Sequence, residues 1–248
     1  MKIGFDAKRA FKNYSGLGNY SRRIITQLCD FYPFNEYYLF TPVGKIGAKG
    51  ITNCPPDKVS VVTPRSFSYK IFTSWWRTMS MGSAISKEGI DLFHGLSNEL
   101  PVNIIHKNTK SVVTIHDLIF IRYPDLYKPI DRYIYHKKFS FSCSRSDKII
   151  AISQQTKQDI VDFFAVDEKK IEVVYQTCHP NYMETANPEK KKQIKEKYNL
   201  PSNYALYVGT IEERKNLLNL VRALHYGKID IPLVVIGKER SYAKNVYD

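Results

Sequence analysis

The chain has 248 residues, 43% hydrophobic and 13% aromatic, with 37 Lys and Arg against 24 Asp and Glu and a formal net charge of +13. That length allows one large domain or parts of two, with a sizeable core. No apolar run approaches the roughly 18 residues of a membrane span, and Asp6, Lys8 and Arg9 interrupt the first apolar stretch, unlike a secretory signal.

The first predicted strand is "KIGFD" (2–6), followed by a long loop and a helix over 17–32. Strands "EYYLFT" (36–41) and "KVSVVT" (58–63) come next, then a helix over 70–88. Strands "DLFHG" (91–95) and "SVVTIHD" (111–117) precede a helix over 131–145. "KIIAIS" (148–153) leads into a helix over 153–164 whose first amides Ser153 can cap, and "IEVVYQ" (171–176) follows as a strand. Such alternation predicts an α/β protein, a parallel sheet covered by helices on both faces.

A second unit starts near 204 with a strand "YALYVG", an amphipathic helix "RKNLLNLVRALHYG" and a strand "IPLVVIG". The charged, proline-punctuated "NPEKKKQIKEKYNLPSN" reads as a linker with a surface helix. The expected organisation is therefore 1–178, linker 179–203 and 204–248. A strand–helix–strand piece of this size buries too little apolar surface to stand alone, so the second domain is expected to be incomplete. The alternative is that its strands extend the first sheet.

The surplus of positive charge fits nucleic acid, an anionic membrane surface or phosphorylated small molecules. No recognition fold or clustered basic stripe supports nucleic acid. Cys29, Cys54, Cys143 and Cys178 are scattered without metal-ligand spacing, which fits a reduced, cytoplasmic protein with no metal site.

Gly16, Gly18 and Ser21 in "NYSGLGNYSRR" nearly match G-x-G-x-x-G, but nine residues separate Asp6 from Gly16, and the second strand ends in Thr41 rather than an acid. A nicotinamide or flavin dehydrogenase is thereby disfavoured. A glycine-containing loop entering a helix can still bind an anion, or be an ordinary loop. His116 and Asp117 stand at the carboxyl end of an apolar strand, where open α/β sheets bind ligands. His116 would there donate a hydrogen bond or a positive charge to a ligand, or be satisfied by neighbouring backbone. Arg214 and Lys215 stand at the start of the second unit's helix, an unfavourable place for cations unless an anion binds between them, or they are a solvated pair. In "RSFSYKIFTSWWRTMSMGSAISK", Ile71, Phe72, Trp75 and Met79 share one helical face and read as core, while Arg65, Lys70, Trp76 and Arg77 could meet a membrane surface or a sugar. Lys128, Arg132, Lys137 and Lys138 read as a solvated basic face.

"GLGNYSRR", "DLFHGLSNELP", "VVTIHDL", "SRSDKIIAISQQTKQDI" and "YVGTIEERKNLLNLVRAL" resemble, in this order, the pattern of the family-four retaining glycosyltransferases. The resemblance implies a GT-B-like fold: a complete N-terminal Rossmann-like domain on the acceptor side and the first part of a second, nucleotide-sugar-binding one. It implies transfer of a sugar from a nucleotide-diphosphate sugar to an acceptor hydroxyl with retention, without metal or cofactor, in surface polysaccharide or glycolipid synthesis. By that likeness Gly16, Gly18, Thr210, Arg214 and Lys215 bind the donor diphosphate, and His116 and Lys215 are catalytic. Asn19, Trp75 and Asp117 face a sugar or lipid-linked acceptor. Thr210 stands where many members carry arginine, and the family's spaced glutamates would lie beyond Asp248, so the chain alone is expected to be inactive. The implied location is cytoplasmic, with possible peripheral contact at the inner face of the membrane through the basic surface. The alternative is a non-catalytic, degenerate transferase module that binds a partner or an anionic lipid surface.

Overall fold

The computed structural model describes residues 1–42, 54–55, 57–64, 73–104, 108–178 and 182–247. The chain divides into two compact units, Met1–Thr177 and Cys178–Asp248. The first is built on seven strands: β1 (Lys2–Asp6), β2 (Glu36–Phe40), β3 (Val59–Val62), β4 (Leu92–Gly95), β5 (Lys110–Ile115), β6 (Lys148–Ala151) and β7 (Ile171–Val173). They pair in the order β3-β2-β1-β4-β5-β6-β7, every neighbour parallel.

Both sheet faces are buried, as parallel strands require. β2 shows this with its two-residue period: Tyr37 and Leu39 join one apolar cluster with Ile3, Phe5 and Ile25, while Tyr38 and Phe40 join the other with Phe93, Val113 and Ile149. The first cluster is covered by α2 (Gly16–Phe31), whose buried residues Gly18, Ser21, Ile25 and Cys29 follow helical spacing. Preceding it, α1 (Lys8–Lys12) turns back from the end of β1 and buries Ala10 and Phe11, so the expected long loop is partly helical.

The second cluster is covered by three helices, the first of them α3, which runs from Thr73 to Lys87. Within α3, Thr73–Trp75 leads into a π-helical segment, Trp76–Ser80, followed by Met81–Lys87. The wider turn shifts the facing residues: Trp76, Arg77, Met81 and Ile85 are buried, whereas Trp75 is 53% and Met79 46% exposed. This reverses the sequence expectation, which put Trp75 and Met79 inside and offered Trp76 and Arg77 to a surface. Arg65, Lys70, Ile71 and Phe72 lie outside the described residues. After the short α4 (Ile119–Arg122), α5 (Pro129–Arg145) buries only Phe139, Ser142 and Cys143 from its second half. α6 (Gln154–Phe164) starts under Ser153, whose Oγ accepts from the Thr156 amide at 3.1 Å.

Arg77 enters this core as a charge. Its guanidinium donates to Asp6 at 3.0 Å through Nε and at 2.5 Å through Nη2, with Glu99 at 3.6 Å and Lys138 in turn 3.1 Å from Glu99. Burial opposes the charge on Arg77, but Asp6 and Glu99 more than offset it and hold the guanidinium protonated above its ordinary range.

The structure bonds Cys29 on α2 to Cys54 in the connection before β3, Cα atoms 5.3 Å apart, which corrects the expectation of four reduced cysteines. Cys143 is buried and free, its thiol pushed by burial to about 12, and Cys178 is free and exposed.

The second unit opens with α7 (Pro188–Lys197), capped by the Asn187 side chain at 2.9 Å from the Glu189 amide. It occupies the segment expected to be a linker, and it groups with the second unit. β8 (Ala205–Val208) and β9 (Leu233–Ile236) pair in parallel around α8 (Leu217–Tyr226), forming their own sheet rather than extending the first. Ile211, Leu217 and Ala243 form its buried cluster, Ala243 just before α9 (Lys244–Tyr247).

Two stability tests follow from this packing. A Cβ at Gly18 would lie 1.7 Å from the Asn13 carbonyl oxygen, whereas at Gly16 nothing lies within 4 Å. Gly18→Ala should lower unfolding free energy by about 1–3 kcal/mol, while Gly16→Ala leaves it unchanged or slightly higher, both measured by urea denaturation. Asp6→Asn should cost about 3 kcal/mol, near the low end for a broken buried pair because Glu99 remains beside Arg77.

Candidate functional site

Strand order reverses between β1 and β4, and the crevice outside the carboxyl ends of strands at such a switch point is where open α/β sheets take ligands. The residues that follow β1, β4 and β5 meet there, together with the start of α2. Thr114 is the shared partner: its hydroxyl is 2.9 Å from the Tyr20 hydroxyl and 2.8 Å from His94 Nε2. Burial, helped by His116, lowers the pKa of His94 to about 4, so this histidine is neutral. Burial raises that of Tyr20, against a smaller opposing effect of its bond to Thr114.

His116, 7% exposed, lies edge-on to the Tyr20 ring with centroids 4.7 Å apart. Its backbone amide donates to the Asn98 side-chain oxygen at 2.7 Å, and its backbone carbonyl faces the Thr156 hydroxyl at 3.3 Å. Asn98 reaches this position from a left-handed turn, φ 64°, in the loop after β4. The ring is held at both nitrogens: Nε2 is 3.0 Å from the Leu96 carbonyl oxygen and Nδ1 is 3.0 Å from the Gln176 side-chain nitrogen. Burial lowers the pKa of His116; the Leu96 bond and Asp117 pull it up, and Arg9 pulls it down. The group is therefore a neutral hydrogen-bonding side chain at neutral pH. The backbone-satisfied reading of this histidine is correct for one nitrogen of two.

The two glycines divide. Gly18 is buried against Asn13, and its amide donates to the Ser15 carbonyl at 3.0 Å. Gly16 stands at the first turn of α2 beside open space, and Ser15 caps no amide there because its hydroxyl turns back to Asn13 at 2.5 Å. An anion approaching α2 would meet Gly16 first. Among the acceptor candidates, Asn19 is exposed and accepts from Arg22 at 2.5 Å, and Asp117 is exposed and accepts from the Ile119 amide at 3.3 Å. Trp75 is exposed on α3.

Thr210, Arg214 and Lys215 belong to the second unit. The helix expected to begin near Lys215 begins at Leu217, because Asn216 adopts a left-handed conformation, φ 59°, after a tight turn over Glu213–Lys215. Arg214 is paired with Glu212 at 2.6 Å. Among the described residues no hydrogen bond or ion pair engages the Lys215 ammonium, which is exposed. Thr210 follows β8, its carbonyl 3.5 Å from the Tyr207 hydroxyl.

Sequence reasoning missed Tyr20, His94, Thr114 and Gln176. The signal for two of them was present: His94 and Thr114 are polar residues inside apolar strands, which a parallel sheet tolerates only when they are paired.

A sequence model of Glycosyltransferase Family 4 matches residues 35–180. The O-antigen chain mannosyltransferase B of Escherichia coli is 31% identical over 152 residues, 59% of this chain and 38% of that protein. The serotype-specific mannosyltransferase WbdA of the same species is 29% identical over 139 residues, 54% of this chain and 17% of its own length. The chain thus spans less than half the length of these curated relatives. Among solved structures, Anabaena HepE in complex with UDP and glucose superposes with a TM-score of 0.65 at 13% identity, covering 99% of this chain and 64% of that one. A glycosyltransferase from Rickettsia africae gives 0.52 at 16% identity over 99% and 70%. These structural likenesses speak for the fold, α/β and GT-B-like; with the family match covering more than half its residues, the chain belongs to Glycosyltransferase Family 4.

Proposed function

We propose that this chain carries an acceptor-side unit, its first, and a donor-side unit, its second, of a retaining glycosyltransferase. It moves a sugar from a nucleotide-diphosphate sugar to an acceptor hydroxyl in surface polysaccharide or glycolipid synthesis. The supporting observation is the strand reversal at β1–β4, with the open first turn of α2 at Gly16 in the same unit as the neutral, buried His116. In this reading Lys215 and Arg214 hold the diphosphate and stabilise its developing charge, the kind of interaction that dominates catalysis of this type. Arg214 must leave Glu212 to do so. Gly16 and Thr210 contribute backbone or hydroxyl donors, Gly18 seats α2 tightly enough to aim them, and His116 faces the donor sugar. Asn19, Trp75 and Asp117 lie on the acceptor side. The relatives named as O-antigen mannosyltransferases, and the UDP bound to Anabaena HepE, support the substrate classes. No metal or cofactor is invoked: the diphosphate charge is met by side chains.

The location assigned is the cytoplasm or the inner membrane face, and the Cys29–Cys54 bond is the observation that weighs against it. Among the described residues no helix is long and apolar enough to cross a membrane. The first half of α5, however, exposes Ile130, Tyr133 and Ile134 on one face, next to exposed Tyr123 and Leu126, with Lys128 and Lys137 at the margins and Lys137 5.7 Å from the Tyr133 ring. Apolar residues rimmed by lysines suit an anionic lipid surface. This face suits the second reading, a non-catalytic module on such a surface, and it suits an enzyme with a lipid-linked acceptor equally.

The protein should transfer sugar from at least one donor in a panel of nucleotide sugars, with the anomeric configuration retained by NMR. Lys215→Ala should reduce the rate about 100-fold, the scale of a lost charge-stabilising contact. Failure with every donor and acceptor offered would overturn the enzyme reading. In vesicle sedimentation, phosphatidylglycerol vesicles should pellet the protein at low salt and release it at high salt, and the pair Ile130→Glu, Ile134→Glu should abolish pelleting. Pelleting without donor affinity would select the non-catalytic module, and no pelleting at low salt would remove the membrane contact.

A further inference from the structure

The ring of His116 is fixed by two hydrogen bonds that demand the same protonation state. The Leu96 carbonyl can only accept, so Nε2 carries a hydrogen. The Gln176 side-chain nitrogen can only donate, so Nδ1 presents its lone pair. One bond comes from the loop after β4 and the other from the segment after β7, so two elements on either side of β5 agree on one tautomer. Gln176 is itself exposed and lies at the end of the first unit, next to Thr177.

We propose that Gln176 is a positioning residue: its amide locks His116 as the neutral Nε2–H tautomer, so that Nδ1 faces the crevice only as a hydrogen-bond acceptor. A sugar hydroxyl can donate to such an edge when it exchanges with the Gln176 amide. A phosphate oxygen, which has nothing to donate, is refused. The pair thereby assigns the His116 position to a hydroxyl and leaves the diphosphate to other groups. This functional meaning rests on the transferase reading, whereas the tautomer lock does not.

The other charged or titratable groups around the ring do not impose the same state. Asp117 favours the protonated ring, Arg9 disfavours it, His94 is neutral, and Tyr20 stays neutral through burial. Thr156 and Asn98 touch only the backbone of His116. Gln176 is the one side chain with a hydrogen bond to the ring, among the described residues.

The test is a side-chain NMR titration of His116 in the wild-type chain and in Gln176→Ala and Gln176→Glu. Because Gln176 is exposed, both variants should fold, which amide spectra check directly. In the wild type the ring nitrogens should show the Nε2–H tautomer and a pKa below the ordinary histidine value. Removing the donor in Gln176→Ala takes away a bond to the neutral form, so the pKa should rise and both tautomers should appear. The carboxylate of Gln176→Glu favours the protonated ring and should raise the pKa further, by about one unit or more over Gln176→Ala. The acid limb of the pH–rate profile of transfer should move up in the same order. A wild-type ring with hydrogen on Nδ1, or a pKa and tautomer unmoved in both variants, would overturn the proposal. An absent transfer activity with the NMR order intact would instead count against the transferase reading alone.

Discussion

Polar groups withdrawn from water at the carboxyl edge of the sheet must each find a partner on another element, and that requirement organises the first unit. Asp6, at the end of β1, and Arg77, inside α3, are 71 residues apart and almost fully buried together. Neither charge could be where it is without the other. The pair ties α3 to the strand that carries the loop to α2, and through Glu99 and Lys138 it continues to the loop after β4 and to α5. Next to it, the Thr114 hydroxyl serves the same purpose for Tyr20 and His94, joining α2 to β4 and β5. The crevice walls are thus held by polar bonds between elements that the apolar clusters alone would leave free to slide.

Much of the sheet was legible in the sequence because parallel strands buried on both faces are written as short β-branched and aromatic runs. All seven strands of the first unit lie where those runs stand, shortened at some ends, and Ser153 caps the helix it was expected to cap. What periodicity could not show was a change of period. The π-helical turn at Trp76–Ser80 rotates everything after Trp75, so a pattern read at 3.6 residues per turn assigned the wrong tryptophan to the core. The start of α8 was misplaced for a related reason: a left-handed Asn216 is a backbone state that an Asn permits without announcing. The Cys29–Cys54 bond joins residues 25 apart in sequence through tertiary packing, with no spacing rule to reveal it.

The candidate site was legible in its strand-end histidine and its glycines, but their roles were not. Two glycines two residues apart look equivalent in a motif, yet one seats a helix against a neighbouring backbone and the other faces open space. Only the packing of α1 under α2 separates them, and α1 itself was read as loop. His116 was visible as a polar residue at a strand end. Its protonation state was not, because that depends on Leu96, 20 residues upstream, and Gln176, 60 residues downstream.

That protonation state constrains the chemistry of the whole site. A buried histidine held neutral cannot supply positive charge to an anion, and His94, with its pKa lowered to about 4, cannot either. On the transferase reading proposed above, the leaving group would need side chains that remain cationic, and Lys215 is one that is exposed with its ammonium unengaged among the described residues. What the first unit offers is oriented dipoles, the amides at the start of α2 and the neutral ring of His116, and such dipoles discriminate among neutral hydroxyls more sharply than a mobile charge would.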